Sequence, residues 1–201
     1  MLYCSTTMKL LNTRVLGIIG ILGAPWVFID FINNGLYNHF VATFASGFRH
    51  FMFITGWLCS VAGLYRLKAM GTKRWQKAVM ITQMIFLLLT DCLSIFEMLT
   101  SNSPSTIFYT LEFLWPLAGF FMLITGIVIL LAKRLRGWKL YVPLIAGFWF
   151  TENVTVYYFT RNSWVSLVTS GIYSTIAFSL LGLSLVVYDY ESVKRKALYR
   201  S

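Results

Sequence analysis

Residues 114–131 read LWPLAGFFMLITGIVILL, a stretch of 18 positions with no charged side chain. Lys133, Arg134 and Arg136 follow it almost directly. A helix of about 20 mostly apolar residues crosses a bilayer core of roughly 30 Å, and the cytoplasmic flanks of such helices are rich in Lys and Arg. The stretch therefore predicts a transmembrane helix that ends in a basic cytoplasmic loop.

Five more apolar stretches occur along the 201-residue chain, separated by short loops without Pro-rich, Gly/Ser-rich or acidic linkers. We predict an all-α, polytopic membrane protein, in which a bundle of six transmembrane helices forms one integral membrane domain over residues 1–201. The predicted spans are 15–32, 47–64, 78–99, 107–131, 140–159 and 165–188.

The composition excludes the main soluble classes. Apolar residues make up 58% of the chain and charged residues 12%, with a mean hydropathy of +0.70, and a soluble fold would have to expose far too much apolar surface. The net charge of +10 does not indicate nucleic-acid binding, because the basic residues flank apolar stretches instead of forming one soluble face. The lipid bilayer is the predicted partner.

The distribution of basic residues predicts the orientation. All of the 17 Lys and Arg residues except Arg49 and Arg161 fall on one side of the predicted spans. By the positive-inside rule that side is cytoplasmic, so we expect a multi-pass protein of the cell (inner) membrane with both termini in the cytoplasm. Either Met1 or Met8 fits as the start, because residues 1–7 add neither charge nor apolar length.

Two similar segments suggest an internal repeat. FMFITG at 51–56 and FMLITG at 121–126 differ at one position, and each leads toward a basic loop. In the helices predicted to precede a loop on the outer side, an acid recurs near the outer end at Asp30, Glu97 and Glu152. Three parallel helical hairpins would explain both patterns. Chance similarity between membrane helices, which draw on few residue types, is the alternative.

Helix-breaking and small residues mark the first and fourth spans. Pro25 cannot donate a hydrogen bond to Ile21, and Pro116 cannot donate one to Glu112, so a bend is expected at each proline. Gly17, Gly20 and Gly23 lie along one edge of the first span. Small residues in this pattern favour close helix packing in membranes.

Polar groups inside the spans are the candidate functional residues. Five of the seven acids fall within predicted spans, in the outer half or near the midplane. An ionisable group there costs about 3 kcal/mol at a helix centre, so it normally faces the bundle interior with a partner. We expect a polar chamber open to the outside. The candidate ligand-binding residues are Asp30, Arg49, His50, Gln83, Asp91, Glu97, Glu112, Glu152, Asn153 and Tyr173.

The pairing of these acids separates the functional hypotheses. Arg49, His50 and Arg161 are the available counter-charges. If they neutralise the acids, the network holds the bundle together, as expected of a non-catalytic accessory or assembly subunit. If acids remain unpaired, they could bind a cation or a basic solute. The first hypothesis is therefore a protein that binds or transports a small solute or cation. A homo- or hetero-oligomer is compatible with each.

Catalytic and metal-binding patterns do not occur in the chain. It lacks a Walker loop, GxGxxG, HExxH, GxSxG and paired metal-ligand spacing. Cys4, Cys59 and Cys92 are not spaced as a disulfide framework or zinc site. We therefore expect no catalytic residues, metal or cofactor. An intramembrane enzyme that acts on a lipid-like substrate is the weakest of three functional hypotheses.

Overall fold

The computed structural model describes residues 2–37, 43–100 and 113–198, and these residues are 87% helical with no strands. The all-α prediction is therefore confirmed for the described chain. One 3-10 helix, Gly137–Leu140, accompanies the α-helices. These are α1 Leu2–Gly23, α2 Trp26–Tyr37, α3 Phe44–Arg66, α4 Arg74–Leu99, α5 Leu114–Ala132, α6 Val142–Gly147, α7 Trp149–Thr160 and α8 Ser163–Leu198.

Four helical segments are long and apolar enough to cross a membrane. They are Thr13–Asn33, Arg74–Leu99, Leu114–Ala132 and Ser163–Tyr188, with mean hydropathies between 1.7 and 2.3. α3 has 23 residues, but Arg49 and His50 lower its mean hydropathy. The predicted span 140–159 is divided between α6 and α7, of 6 and 12 residues, and each alone is too short to cross a bilayer.

The helices pack side by side in a closed ring. α3 packs on α4 and α1, α1 and α2 pack on α8, α7 packs on α8, and α5 joins α6 to α4. Aromatic side chains fill the centre of the ring, where the Phe53 ring lies 6.0 Å from Trp115 and 5.1 Å from Phe178. Trp57 and Trp149 complete this aromatic core. The bundle therefore has a packed centre.

The glycine edge of α1 packs as the sequence predicts. A Cβ at Gly17 would lie 2.6 Å from the Gly182 carbonyl oxygen of α8, and a Cβ at Gly23 would lie 2.8 Å from the Cα of Gly56 in α3. Neither position can accept a larger side chain without moving a backbone. α1 therefore approaches both neighbours at backbone distance, and this packing fixes α2 over the start of α3.

Two predicted spans are interrupted. α1 ends at Gly23 and α2 begins at Trp26, so Pro25 breaks the first span as expected. The interruption between α6 and α7, at Phe148, involves no proline and was not predicted. Pro116 lies in the first turn of α5, where its missing N–H costs little. Glu112, the other half of the predicted bend, lies outside the described residues.

The two repeated segments make different contacts. Gly56 packs against Gly23 of the preceding helix, whereas a Cβ at Gly126 would lie 2.6 Å from the backbone nitrogen of Leu144 in the following one. Thr55 hydrogen-bonds an acid of α4, whereas the hydroxyl of Thr125 is buried with no hydrogen-bond partner among the described residues. The similarity in sequence is therefore not matched by equivalent packing at these positions.

Candidate functional site

Four of the predicted site residues form one buried network. Arg49 Nη1 donates to Asp30 Oδ1 at 3.1 Å, and His50 Nε2 lies 3.0 Å from Asp30 Oδ2. His50 Nδ1 lies 2.9 Å from Glu97 Oε2. Asp30 is fully buried, and only the Arg49 side chain, at 21% exposed, reaches the surface. The network therefore ties α2, α3 and α4 together through His50.

The local structure explains why these residues meet. Asp30 follows the Pro25 break by one helical turn, Arg49 and His50 lie near the start of α3, and Glu97 lies in the last turn of α4. Because α3 and α4 form an antiparallel hairpin, the start of one faces the end of the other. Gly47 permits the close approach, since a Cβ there would lie 2.8 Å from the Ser94 carbonyl oxygen.

The hydrogen bonds fix the charge of the network. Each contact between an imidazole nitrogen and a carboxylate oxygen needs one hydrogen between the two atoms. His50 makes two such contacts, so Asp30, His50 and Glu97 together hold two protons and one negative charge. Arg49 supplies the matching positive charge. The four groups are electrically neutral as a unit.

Aromatic rings close the network on the side of the bundle core. The Trp115 ring meets His50 edge to face at 5.1 Å and stacks on Phe53 at 6.0 Å. Phe53 itself is 1% exposed and belongs to the aromatic core. The polar network therefore has an apolar floor, and these rings separate it from the opposite half of the bundle.

Asp91 lies apart from the network, between α3 and α4. The Thr55 hydroxyl lies 3.1 and 3.3 Å from its two carboxylate oxygens and donates to them. Asp91 is 8% exposed, and its α4 neighbours Leu88 and Cys92 face outward. Among the described residues no cation pairs with it. Asp91 is thus an acid without a counter-charge among the described residues, at the edge of an apolar, outward-facing surface.

Glu152 is a second acid without a counter-charge in the described chain. It lies in the first turn of α7. Its Oε2 atom is buried and has no hydrogen-bond partner among the described residues. Arg161, the expected counter-charge, instead places its guanidinium 4.9 Å from the centre of the Tyr158 ring. Glu152 and Arg161 therefore do not pair with each other in the described chain.

The remaining described candidates take part in hydrogen bonds to backbone carbonyls of neighbouring helices. Gln83 Nε2 donates to the Ala118 carbonyl of α5 at 3.2 Å, while its Oε1 is buried with no partner in the described chain. The Tyr173 hydroxyl donates to the Ile145 carbonyl at 2.7 Å, next to the α6–α7 break. Asn153 accepts a hydrogen bond through its backbone carbonyl. These contacts join helices, as polar groups often do in membranes. Glu112 lies outside the described residues.

Sequence reasoning missed two members of the site. Thr55 was noted only as part of the repeated segment, although it is the hydrogen-bond donor to Asp91. Trp115 belongs to the stretch that predicts the fourth span, and the sequence does not link it to His50, which its ring contacts. Positions on two different helices can be paired only once the register of the helices is known, and no signal within one helix carries that information.

Comparison with known proteins gives no relative, because no family model, curated protein or solved structure matches the chain. What the site can do therefore follows from the contacts and charges of its residues. Among the described residues, no group of His, Cys, Asp and Glu side chains is arranged to hold a metal ion. Within the network, Asp30 contacts the Nε2 atom of His50, and Glu97 contacts its Nδ1 atom.

Proposed function

We propose that the protein is a multi-pass protein of the inner membrane with six spans, in which α3 and the α6–α7 pair cross alongside the four long apolar helices. Both termini are cytoplasmic. The asymmetric distribution of Lys and Arg supports this orientation. The ring of helices supports six crossings, because α3 and the α6–α7 pair occupy places in it between the long apolar helices.

Within this topology we propose a non-catalytic accessory or assembly subunit. The observation that carries the proposal is the neutral network of Asp30, Arg49, His50 and Glu97, in which every charge is used within the bundle. Breaking a buried pair of this kind is costly, whereas an intact one mainly holds its helices in place. Such a network makes the bundle more rigid. Because the network is buried, contacts with another protein would form on the outer surface of the bundle.

Asp91 marks the surface for that contact. A charged group near the bilayer midplane costs about 3 kcal/mol by insertion scales. A basic or hydrogen-bonding side chain from a neighbouring helix would offset this cost. The exposed apolar residues beside Asp91 on α4, which include Leu88, Leu89 and Ile95, supply the area for helix packing.

Cross-linking at the native Cys92 tests this proposal, because the residue is exposed and adjoins Asp91. A photoactivatable group attached there, in a variant without the other cysteines, should give one protein adduct of fixed mass in native membranes. An added mass near 23.1 kDa would indicate a second copy of the chain. Asp91→Asn should weaken the adduct. In the control, the photoactivatable group is attached to a cysteine introduced at Leu131, on the exposed face of α5. Adducts with lipid alone would contradict the proposal.

Binding or transport of a small solute or cation is a second candidate, favoured by the Oε2 atom of Glu152, which has no hydrogen-bond partner in the part of the chain that the structure describes. It predicts that a cation such as Na⁺, Mg²⁺ or putrescine raises the thermal midpoint of the wild-type protein and not that of Glu152→Gln. Equal midpoints with and without each cation, at constant ionic strength, would remove this candidate and leave the first.

A further inference from the structure

A cavity of about 200 Å³ lies at the turn between α3 and α4, away from the network described above. It lies where α3 ends and α4 begins, on the side predicted to be cytoplasmic. Pockets for drug-sized ligands measure about 300 to 1,000 Å³, so this one suits a small group. The lining residues are Tyr65, Arg66, Lys68, Ala69, Met70, Gly71, Gln76, Lys77 and Met80.

The shape of the turn comes from an unusual helix end. The Ala69 amide donates to the Leu64 carbonyl at 3.0 Å, and the Lys68 amide donates to the Tyr65 carbonyl at 2.9 Å. This pair of bonds is a Schellman motif, whose left-handed position is usually glycine. Here it is Lys68, with φ of 53°. The chain therefore keeps a lysine where glycine would fit with less strain.

Other contacts hold the cavity open on the α4 side. Gly71 has φ of 101°, which reverses the chain toward α4. The Gln76 side chain accepts a hydrogen bond from the Lys73 amide at 3.0 Å, and a Cβ at Gly71 would collide with it. Met70 and Met80, 3% and 1% exposed, line the apolar side.

No acid occurs among the described residues that line the cavity. Arg66, Lys68 and Lys77 are exposed cations in its lining, and no Asp or Glu occurs between positions 31 and 90. The positive-inside rule explains basic residues in this loop, but it does not require that three of them surround a cavity. A phosphate ester at a membrane surface has a charged phosphate and an apolar carbon part. The cations of the cavity match the first, and its apolar wall matches the second.

We propose that this cavity binds a phosphate group, carried either by the headgroup of an anionic lipid or by a small soluble phosphate. Arg66, Lys68 and Lys77 provide the charge, and Met70 and Met80 contact the carbon atoms beside the phosphate. This site is independent of the proposed accessory function, and either can fail without the other.

The test compares two triple variants of equal charge change. Arg66→Gln/Lys68→Gly/Lys77→Gln alters the cavity, and Lys133→Gly/Arg134→Gln/Arg136→Gln alters the next basic loop. Lys133 also has a left-handed backbone, with φ of 50°, so each triple replaces one such lysine by glycine. All six side chains are exposed, and both variants should therefore fold.

Two probes distinguish the ligand sources. Phosphatidylglycerol binding is measured by native mass spectrometry from nanodiscs of phosphatidylcholine with 20% phosphatidylglycerol, a composition chosen on the order of natural anionic content. Inorganic phosphate and glycerol 3-phosphate are titrated by thermal midpoint at constant ionic strength. The cavity triple should bind at least about tenfold more weakly than the control triple. A response to phosphatidylglycerol alone assigns a lipid site, and a response to the soluble compounds assigns a soluble ligand. Equal loss in both triples, or no binding by the wild type, would overturn the proposal.

Discussion

Asp30→Asn should be the most damaging conservative change in the bundle. Asp30 is fully buried and accepts hydrogen bonds from both Arg49 and His50. The amide keeps the shape of the side chain but leaves the guanidinium without its counter-charge. Breaking a buried pair in this way costs about 3 to 5 kcal/mol. Because the Arg49 side chain is 21% exposed, water can solvate part of it, and we expect about 3 kcal/mol.

The thermal midpoint in detergent measures this loss. For a chain of this size, 1 kcal/mol corresponds to roughly 2 to 4 °C, so Asp30→Asn should lower the midpoint by about 6 to 12 °C. Adding Arg49→Gln should recover part of the loss, since the stranded charge is removed. Asp91→Asn is the matched control, because the same chemical change there meets only the Thr55 hydroxyl, which can donate to an amide oxygen equally well.

Glu97→Gln should cost much less, and the charge of the network explains why. Glu97 contacts His50, whereas Arg49 contacts Asp30. A neutral His50 can donate to Asp30 through Nε2 and accept from the new amide through Nδ1, so the network stays neutral with one proton fewer. We expect a loss of about 1 kcal/mol, the difference between a charged and a neutral hydrogen bond. Equal midpoints for Asp30→Asn and wild type, or no recovery in the double variant, would refute this account.

Three further outcomes are expected. Gly56→Ala should lower the free energy of unfolding by about 1 to 3 kcal/mol, because its Cβ would lie 2.9 Å from an α1 Cα; a midpoint equal to that of wild type would contradict the close packing. Tyr173→Phe should cost about 1 kcal/mol in the same assay, through the lost hydrogen bond to Ile145, and full stability would show that water replaces it. In a cysteine-free background, Ser103→Cys should react with an impermeant maleimide from outside and Arg134→Cys only after the cytoplasmic side is opened; the reverse pattern would invert the topology.

The sequence is sufficient to predict where the helices lie and which polar residues face inward. It says little about which residues of different helices contact each other. Apolar length and basic flanks placed α4 and the described part of α5 to within a few residues, and likewise the start of α8, although α8 continues to Leu198, beyond the predicted end at 188. Asp30, Glu97 and His50 were selected correctly as buried polar groups, because charge inside a span is costly whatever its partner. Which acid meets which cation depends on helix rotation and register. Composition encodes neither of them, so the sequence left open which of Arg49, His50 and Arg161 pairs with an acid.

The interruption at Phe148 was missed for a related reason. The break between α1 and α2 is predicted from Pro25, but no proline lies at the break between α6 and α7. Contacts with neighbouring helices lie at the break: a Cβ at Gly147 would lie 2.6 Å from the Leu123 backbone nitrogen, and the Tyr173 hydroxyl donates to the Ile145 carbonyl. Gly147 directly precedes the break, but an isolated glycine within an apolar segment does not by itself predict that a helix ends there.

The seam between α1 and α8 also constrains how the protein is made. It joins Gly17 to Gly182, positions 165 residues apart (182 minus 17). At about 5 to 20 residues per second of synthesis, the first helix waits roughly 8 to 33 s before its final neighbour leaves the ribosome. During that interval α1 can pair with α3 through Gly23 and Gly56, while Gly17 faces lipid or the insertion machinery. Ring closure is thus a late event in biogenesis, and a ribosome stalled before α8 would leave a bundle with an open glycine edge.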